Sequence, residues 1–157
     1  MYRLIKRLLI IVFINFIDQN IAGFFSDLLI IIPLTFLAYS FYVYRSDNNI
    51  GAIEAFLAGL FIDLISDSYF GLNAIIFCLI TYVINSYANA FKLFSYLQIC
   101  LFFGLSSTAY VGFTQLVINL YNFSYLILFV SAIVNIIFCI LIAAISIYLP
   151  RNVEMKI

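Results

Sequence analysis

Residues 51–74, GAIEAFLAGLFIDLISDSYFGLNA, decide the fold of this chain. An apolar run that starts at Ile50 ends at Ile65, a short polar turn follows, and a second apolar run starts at Leu72. Apolar side chains occupy every face of both runs, which is typical of helices surrounded by lipid rather than by water. The stretch therefore predicts two membrane-spanning helices joined by a tight turn.

The same pattern continues on both sides of this hairpin and predicts an all-α integral membrane protein, a bundle of six transmembrane helices in one domain, residues 1–157. Apolar residues make up 67% of the chain and charged residues 9%, against about 45–50% and about 25% in soluble domains. Six spans of about 20 residues leave no room for a separate soluble domain. The predicted spans cover about residues 4–17, 28–44, 50–65, 72–88, 94–118 and 125–149.

The first apolar run is open to a second interpretation. Its basic start and short apolar stretch are also compatible with the first two regions of a secretory signal peptide. No small-x-small cleavage pattern follows, and five further apolar runs do. We therefore interpret residues 4–17 as a short span whose outer end is marked by Asn15 and Asp18.

The distribution of basic residues predicts the orientation, because Lys and Arg concentrate in short cytoplasmic loops. With the N-terminus in the cytoplasm, all of the Lys and Arg residues fall on the cytoplasmic side. They are Arg3, Lys6, Arg7, Arg45, Lys92, Arg151 and Lys156. We therefore expect a multi-pass protein of the cytoplasmic membrane with both termini cytoplasmic.

The composition also excludes several classes of function. The chain has no His and no Trp, so it cannot form a histidine-based catalytic triad or an HExxH zinc site. Its net charge is zero, which argues against a nucleic-acid partner held through phosphate contacts. The three cysteines lie singly in apolar runs and have no CxxC spacing. We expect no enzymatic activity, no cofactor and no metal site.

Small residues form a stripe on the third predicted span. Gly51, Ala55 and Gly59 are four residues apart and lie on one helix face, where small side chains let a second helix approach closely. The stripe is compatible with packing inside the bundle and with binding to another protein. Gly104 and Gly112, on the fifth predicted span, are the expected mates of this stripe.

Asp63 is the main candidate site residue, because it lies about two residues inside the outer end of its span, where an acidic side chain is costly. We interpret it as a polar anchor to a partner or to the start of the fourth span. The alternative is a carboxylate that reaches solvent. Gly71 suits a tight turn with positive φ, and Asn73 is placed to cap or bridge the next helix.

Residues 59–74 resemble the G-x-x-x-D-L-x-S-x-x-x-x-G motif of the rod shape-determining protein MreD family. The matching positions are Gly59, Asp63, Leu64, Ser66 and Gly71. Chain length, six predicted spans and very short loops are similar too. The resemblance extends to Asp27-Leu28, although Ser26 stands where the family tends to have proline. Asn73 replaces the His or other polar residue of many members, and Asp67 replaces the usual Gly.

The resemblance implies a non-enzymatic membrane component of the bacterial elongation machinery, or elongasome. Its implied partners are MreC, most directly, and MreB, RodA and a class B penicillin-binding protein, which together insert side-wall peptidoglycan. It also implies a fold similar to the S components of energy-coupling-factor transporters.

Such a small-molecule-binding subunit is the alternative function. Residues 4–17, however, contain no Ala or Gly for the small-residue docking stripe that S components typically carry there. A lipid-group transferase ranks third, because the paired metal-binding acids that it would need are missing.

Overall fold

The computed structural model describes residues 2–26, 30–46, 50–66, 69–118 and 123–148, and side-chain environments within 9–141. Over these residues the chain forms seven helices and no strand. The helices are α1 (Tyr2–Ser26), α2 (Leu34–Arg45), α3 (Ala52–Ile65), α4 (Leu72–Ser86), α5 (Ala88–Phe91), α6 (Tyr96–Ile118) and α7 (Tyr125–Tyr148).

Two antiparallel hairpins form the main body of the bundle. Helix α3 packs along α4, and α6 packs along α7, whereas α2 lies between them in contact with α1, α4 and α6. Four of the helices, α3, α4, α6 and α7, lie on predicted spans and end within two residues of the predicted limits. The short helix α5 forms part of the connection between α4 and α6.

The core between the hairpins is aromatic. Tyr39 of α2 stacks on Phe77 of α4 with ring centroids 4.1 Å apart, and its hydroxyl shares a 2.8 Å hydrogen bond with Thr81. Phe36, one turn earlier, stacks on Tyr110 of α6 at 4.7 Å. Stacked rings bury large areas and add about 0.5–1.5 kcal/mol per pair. Helix α2 is therefore the element that joins α4 to α6.

The first two predicted spans differ from the helices in the structure. Helix α1 continues to Ser26 instead of ending at Ile17, so the predicted loop at Asp18–Asn20 is helical. Asn15, Asp18 and Gln19 are three or four residues apart and thus share one helix face. Because this face is hydrogen-bonded to neighbouring elements, its polar side chains do not end the helix.

Helix α2 starts at Leu34 and not at residue 28, because residues 30–33 are non-helical. Its 12 residues span only about 18 Å, against a hydrocarbon thickness of about 30 Å. Proline accounts for the late start, since Pro33 disfavours a helical conformation in the residue before it. The four non-helical residues make up most of the remaining length.

The described residues include helices that are candidates for crossing a membrane. Tyr96–Ile118 is long and apolar enough to do so on length and composition. Leu9–Gly23, Leu72–Ser86 and Tyr125–Leu141 are shorter apolar helices.

Candidate functional site

The Asp63 carboxylate caps the N-terminus of helix α4. Its Oδ2 accepts hydrogen bonds from the backbone N–H of Gly71 at 2.9 Å and of Ala74 at 3.4 Å. Its Oδ1 accepts from the backbone N–H of Asn73 at 3.1 Å and from the Asn73 side-chain amide at 2.8 Å. Asp63 is only 2% exposed. The carboxylate is therefore an internal cap and not a solvated group.

The turn before α4 explains why the cap comes from another helix. The N-cap residue is Gly71, which has no side chain and adopts the positive φ of +94° that its place in the turn predicts. The first N–H groups of a helix have no partner within it, and in lipid each unsatisfied group costs several kcal/mol. A negative charge at this end also interacts favourably with the helix dipole.

Asn73 connects this cap to helix α6. Its side-chain oxygen accepts a 2.7 Å hydrogen bond from the Tyr110 hydroxyl, while its amide nitrogen donates to Asp63. Asn73 is 3% exposed. Three helices, α3, α4 and α6, therefore meet through one chain of polar contacts.

A second carboxylate, that of Asp18, caps the N-terminus of helix α2. Its Oδ2 accepts hydrogen bonds from the backbone N–H of Thr35 at 2.9 Å and from the Thr35 hydroxyl at 2.7 Å. Its Oδ1 accepts from the N–H of Leu34 at 3.3 Å. Here the N-cap residue is Pro33, which also makes no side-chain cap. Both capping acids thus come from the preceding helix.

Asn15 joins the second cap to the end of α3. Its amide nitrogen lies 3.4 Å from the Thr35 hydroxyl and donates to the Ser66 hydroxyl at 3.0 Å. Gln19 adds two donor contacts of 3.2 Å, to the side-chain oxygen of Asn15 and to the carbonyl oxygen of Ile65. We call Asn15, Asp18, Thr35 and Ser66, together with Asp63, Asn73 and Tyr110, the polar clamp.

Two side chains of helix α7 form hydrogen bonds with the non-helical segment, residues 30–33, that precedes α2. The Ser131 hydroxyl accepts a 3.0 Å hydrogen bond from the N–H of Ile31, and the Asn135 amide donates 3.1 Å to the carbonyl of Ile31. Both side chains are completely buried. Backbone groups without water require such partners, so two polar residues of α7 stabilise this non-helical segment.

The polar clamp has the chemistry of a structural element. Its acids accept from backbone amides at helix starts, a fixed arrangement that suits structural capping better than a catalytic proton transfer. Among the described residues, no group of three His, Cys, Asp or Glu side chains is arranged to hold a metal ion.

The small-residue stripe of α3 packs inside the molecule. A Cβ added at Gly59 would overlap the Ala74 backbone and lie 2.7 Å from the carbonyl carbon of Asn73, and Ala55 is completely buried. Of the two alternatives for this stripe, the geometry at Gly59 therefore favours packing inside the bundle. Gly51 is exposed, with nothing within 4 Å of an added Cβ.

The second stripe does not face α3. A Cβ at Gly104 would lie 3.1 Å from the Ile136 side chain, and one at Gly112 would lie 2.9 Å from Leu128. Both neighbours belong to α7, so the expectation that this stripe mates with Gly59 is wrong. Asp27 lies outside the described residues.

Several residues of the polar clamp were not candidates from the sequence. Asn15 and Asp18 marked only the end of a span, and Thr35 and Tyr110 had no assigned role. The available signal was an acid at the end of one apolar run followed by a residue without capping ability at the start of the next. Asp63 with Gly71 has this pattern, whereas Pro33 lies inside the apolar run 28–44 and gives no such signal for Asp18.

Comparison with known families was made over the whole chain. The family model of the rod shape-determining protein MreD matches residues 1–151 of the 157. The chain belongs to the MreD family. A search of curated proteins and a search of solved structures found no match.

Family membership gives the protein a role in determining rod shape and a place in the membrane. The MreD family is a family of shape-determining membrane proteins and is not a known enzyme family. The helical bundle is consistent with both statements. The capping acid Asp63 and the turn residue Gly71 both lie within the matched part of the chain.

Proposed function

We propose that this protein is a non-catalytic, six-span component of the bacterial elongation complex that binds MreC and helps to organise side-wall peptidoglycan synthesis. The observation that carries the proposal is the match of the MreD family model to residues 1–151. The bundle supports the proposal, because its buried polar groups connect helices to one another. MreB, RodA and a class B penicillin-binding protein are the further partners.

Binding to MreC is tested by co-expression and purification in detergent. A tagged copy of the protein should retain MreC through washing, whereas an equally tagged, unrelated multi-span protein should not. Depletion of the protein should turn rods into rounded cells, and expression of the chain should restore them. Equal recovery of MreC with both tagged proteins, or rods that persist after depletion, would contradict the proposal.

The proposed topology places the N-terminus and the C-terminus in the cytoplasm and the α3–α4 turn outside. It rests on the seven basic residues, which all fall on one side of a six-span arrangement. Alkaline phosphatase fused after Ser66 should be active, and the same enzyme fused after Lys156 should be inactive. An active enzyme at Lys156 would refute this topology.

A further inference from the structure

A partly enclosed apolar cavity of about 400 Å³ lies between α2, α6 and α7, and Ile14 of α1 also lines it. One wall is the face of α2 formed by Leu34, Leu37, Phe41 and Tyr44, which runs along the whole helix. The opposite wall contains Phe103 of α6 and Phe138 of α7. This cavity contains none of the carboxylates of the polar clamp and has no part in the function proposed above.

The dimensions of the cavity fit one hydrocarbon chain. Its α2 wall extends from residue 34 to residue 44, which is about 15 Å along a helix, so the mean cross-section is about 27 Å². A single file of methylene groups at carbon contact distances of about 4 Å needs about 13 Å². A helix about 10 Å across needs about 80 Å². The cavity therefore accommodates an acyl chain but not a helix.

Basic residues lie at the end of the cavity where α2 ends. Arg45 follows the lining residue Tyr44 directly, and the Tyr44 ring contacts the ring of Phe91 with centroids 5.8 Å apart. Lys92 follows Phe91, and both basic residues are exposed. Basic groups between helices at the cytoplasmic surface attract anionic lipid headgroups. The charge at this rim therefore complements a phosphate.

We propose that the cavity binds one anionic phospholipid of the cytoplasmic leaflet. An acyl chain lies along α2 between α6 and α7, and the headgroup phosphate lies between Arg45 and Lys92. The choice of leaflet rests on the proposed topology, whereas binding itself does not. An empty apolar cavity would lose dispersion contacts on every wall, and acyl chains are the apolar groups available within a bilayer.

The first experiment counts lipids on the purified protein by native mass spectrometry. The probes are phosphatidylglycerol and phosphatidylcholine with the same acyl chains. Ala38→Phe fills the cavity, because Ala38 lines it, and Ala109→Phe is the matched control on an exposed position of α6. We expect one retained lipid on the wild type and on the control, and at least a tenfold lower bound fraction on Ala38→Phe.

The second experiment tests the headgroup. Two basic residues near the surface should favour phosphatidylglycerol about 30-fold over phosphatidylcholine. The double variant Arg45→Gln, Lys92→Gln should lose this preference and still retain a lipid. The double variant Arg3→Gln, Lys6→Gln removes the same charge elsewhere and should keep the preference. An unchanged preference in the first variant would overturn the assigned phosphate position.

A third measurement uses the wild type, so that it does not depend on the folding of a variant. Phosphatidylglycerol with a diazirine in its acyl chain should crosslink to residues 34–44 and 96–103. Crosslinks spread evenly over all helices, or equal lipid retention by Ala38→Phe, would overturn the proposal. A wild type that retains no lipid would also overturn the proposal. This result is expected if the cavity instead binds a segment of a partner protein. Because these measurements use the isolated protein, they are independent of binding to MreC.

Discussion

Replacing Asp63 by Leu should destabilise the bundle, because the α4 cap is lost. Three of the hydrogen bonds to this carboxylate are 3.1 Å or shorter, and a hydrogen bond to a charged group contributes about 1.5–3 kcal/mol. Their loss costs about 5 kcal/mol at the lower limit. Removing an acidic side chain from near the membrane interface also stabilises the protein. This gain is smaller than the value of about 2.5–3.5 kcal/mol that applies at the bilayer centre. The loss of the cap dominates, with a net effect of about 3 kcal/mol.

Asp63→Asn should have a smaller effect, because one side-chain oxygen remains. Each oxygen of Asp63 accepts from two donors, so the amide keeps one of the two pairs. We expect a loss of about 2 kcal/mol, because at least one short hydrogen bond to the carboxylate is lost and the remaining acceptor is uncharged. Leu64→Ala is the matched control, since Leu64 is the next residue and is 65% exposed.

The assay has two parts, the unfolding midpoint in detergent and the rescue of rod shape in a depleted strain. For a chain of this length, about 3 kcal/mol corresponds to a fall of about 6–12 °C in the midpoint. Asp63→Leu should fail to restore rods, Asp63→Asn should restore them in part, and Leu64→Ala should restore them fully. Membrane abundance is measured for each variant. Full rescue by Asp63→Leu at normal abundance, with an unchanged midpoint, would refute the capping role.

Three further substitutions have matched controls or a defined backbone cause. Gly59→Ala should lower stability by at least about 2 kcal/mol, because its Cβ would overlap the α4 backbone, whereas Gly51→Ala, with nothing nearby, should leave the unfolding midpoint unchanged. Gly71→Ala should cost about 1–2 kcal/mol, because φ is +94°, and an unchanged midpoint would contradict that backbone strain. Ser131→Ala should cost about 1–3 kcal/mol, since it leaves a part-buried amide of the non-helical segment without its side-chain partner. Ser86→Ala, at an exposed position, is its control, and equal midpoints for the two serine variants would show that the amide does not need Ser131.

The α3–α4 hairpin is the part of the fold that the sequence predicts best. Its two apolar runs are separated by a polar turn that contains Gly71, so hydropathy alone indicates where the helices end. The late start of α2 is not visible in this way, since Ile30, Ile31 and Ile32 are as apolar as a helical span. The hydrogen bonds that stabilise the non-helical backbone at Ile31 come from a helix about 100 residues away.

The candidate site also has contacts that the local sequence predicts and contacts that it does not predict. Asp63 can be identified from the sequence, because an acid in an apolar run next to a glycine turn needs a local partner. Asp18 also needs a partner, but the sequence predicts a loop at this position. Its partner Thr35 lies 17 residues later, whereas Asn73 lies only 10 residues after Asp63. The Tyr110 contact depends on how α6 packs against α4, and no local pattern contains that information.

The hydrogen bonds between Ile31 and α7 also set an order for biosynthesis. Ser131 is 100 residues downstream of Ile31, and ribosomes add about 5–20 residues per second. The backbone of Ile31 therefore waits about 5–20 s before its partner is synthesised. During this time the nascent protein exposes unpaired amide and carbonyl groups, which insertion factors can protect and membrane proteases can recognise. Chains truncated before α7 should remain in this vulnerable state.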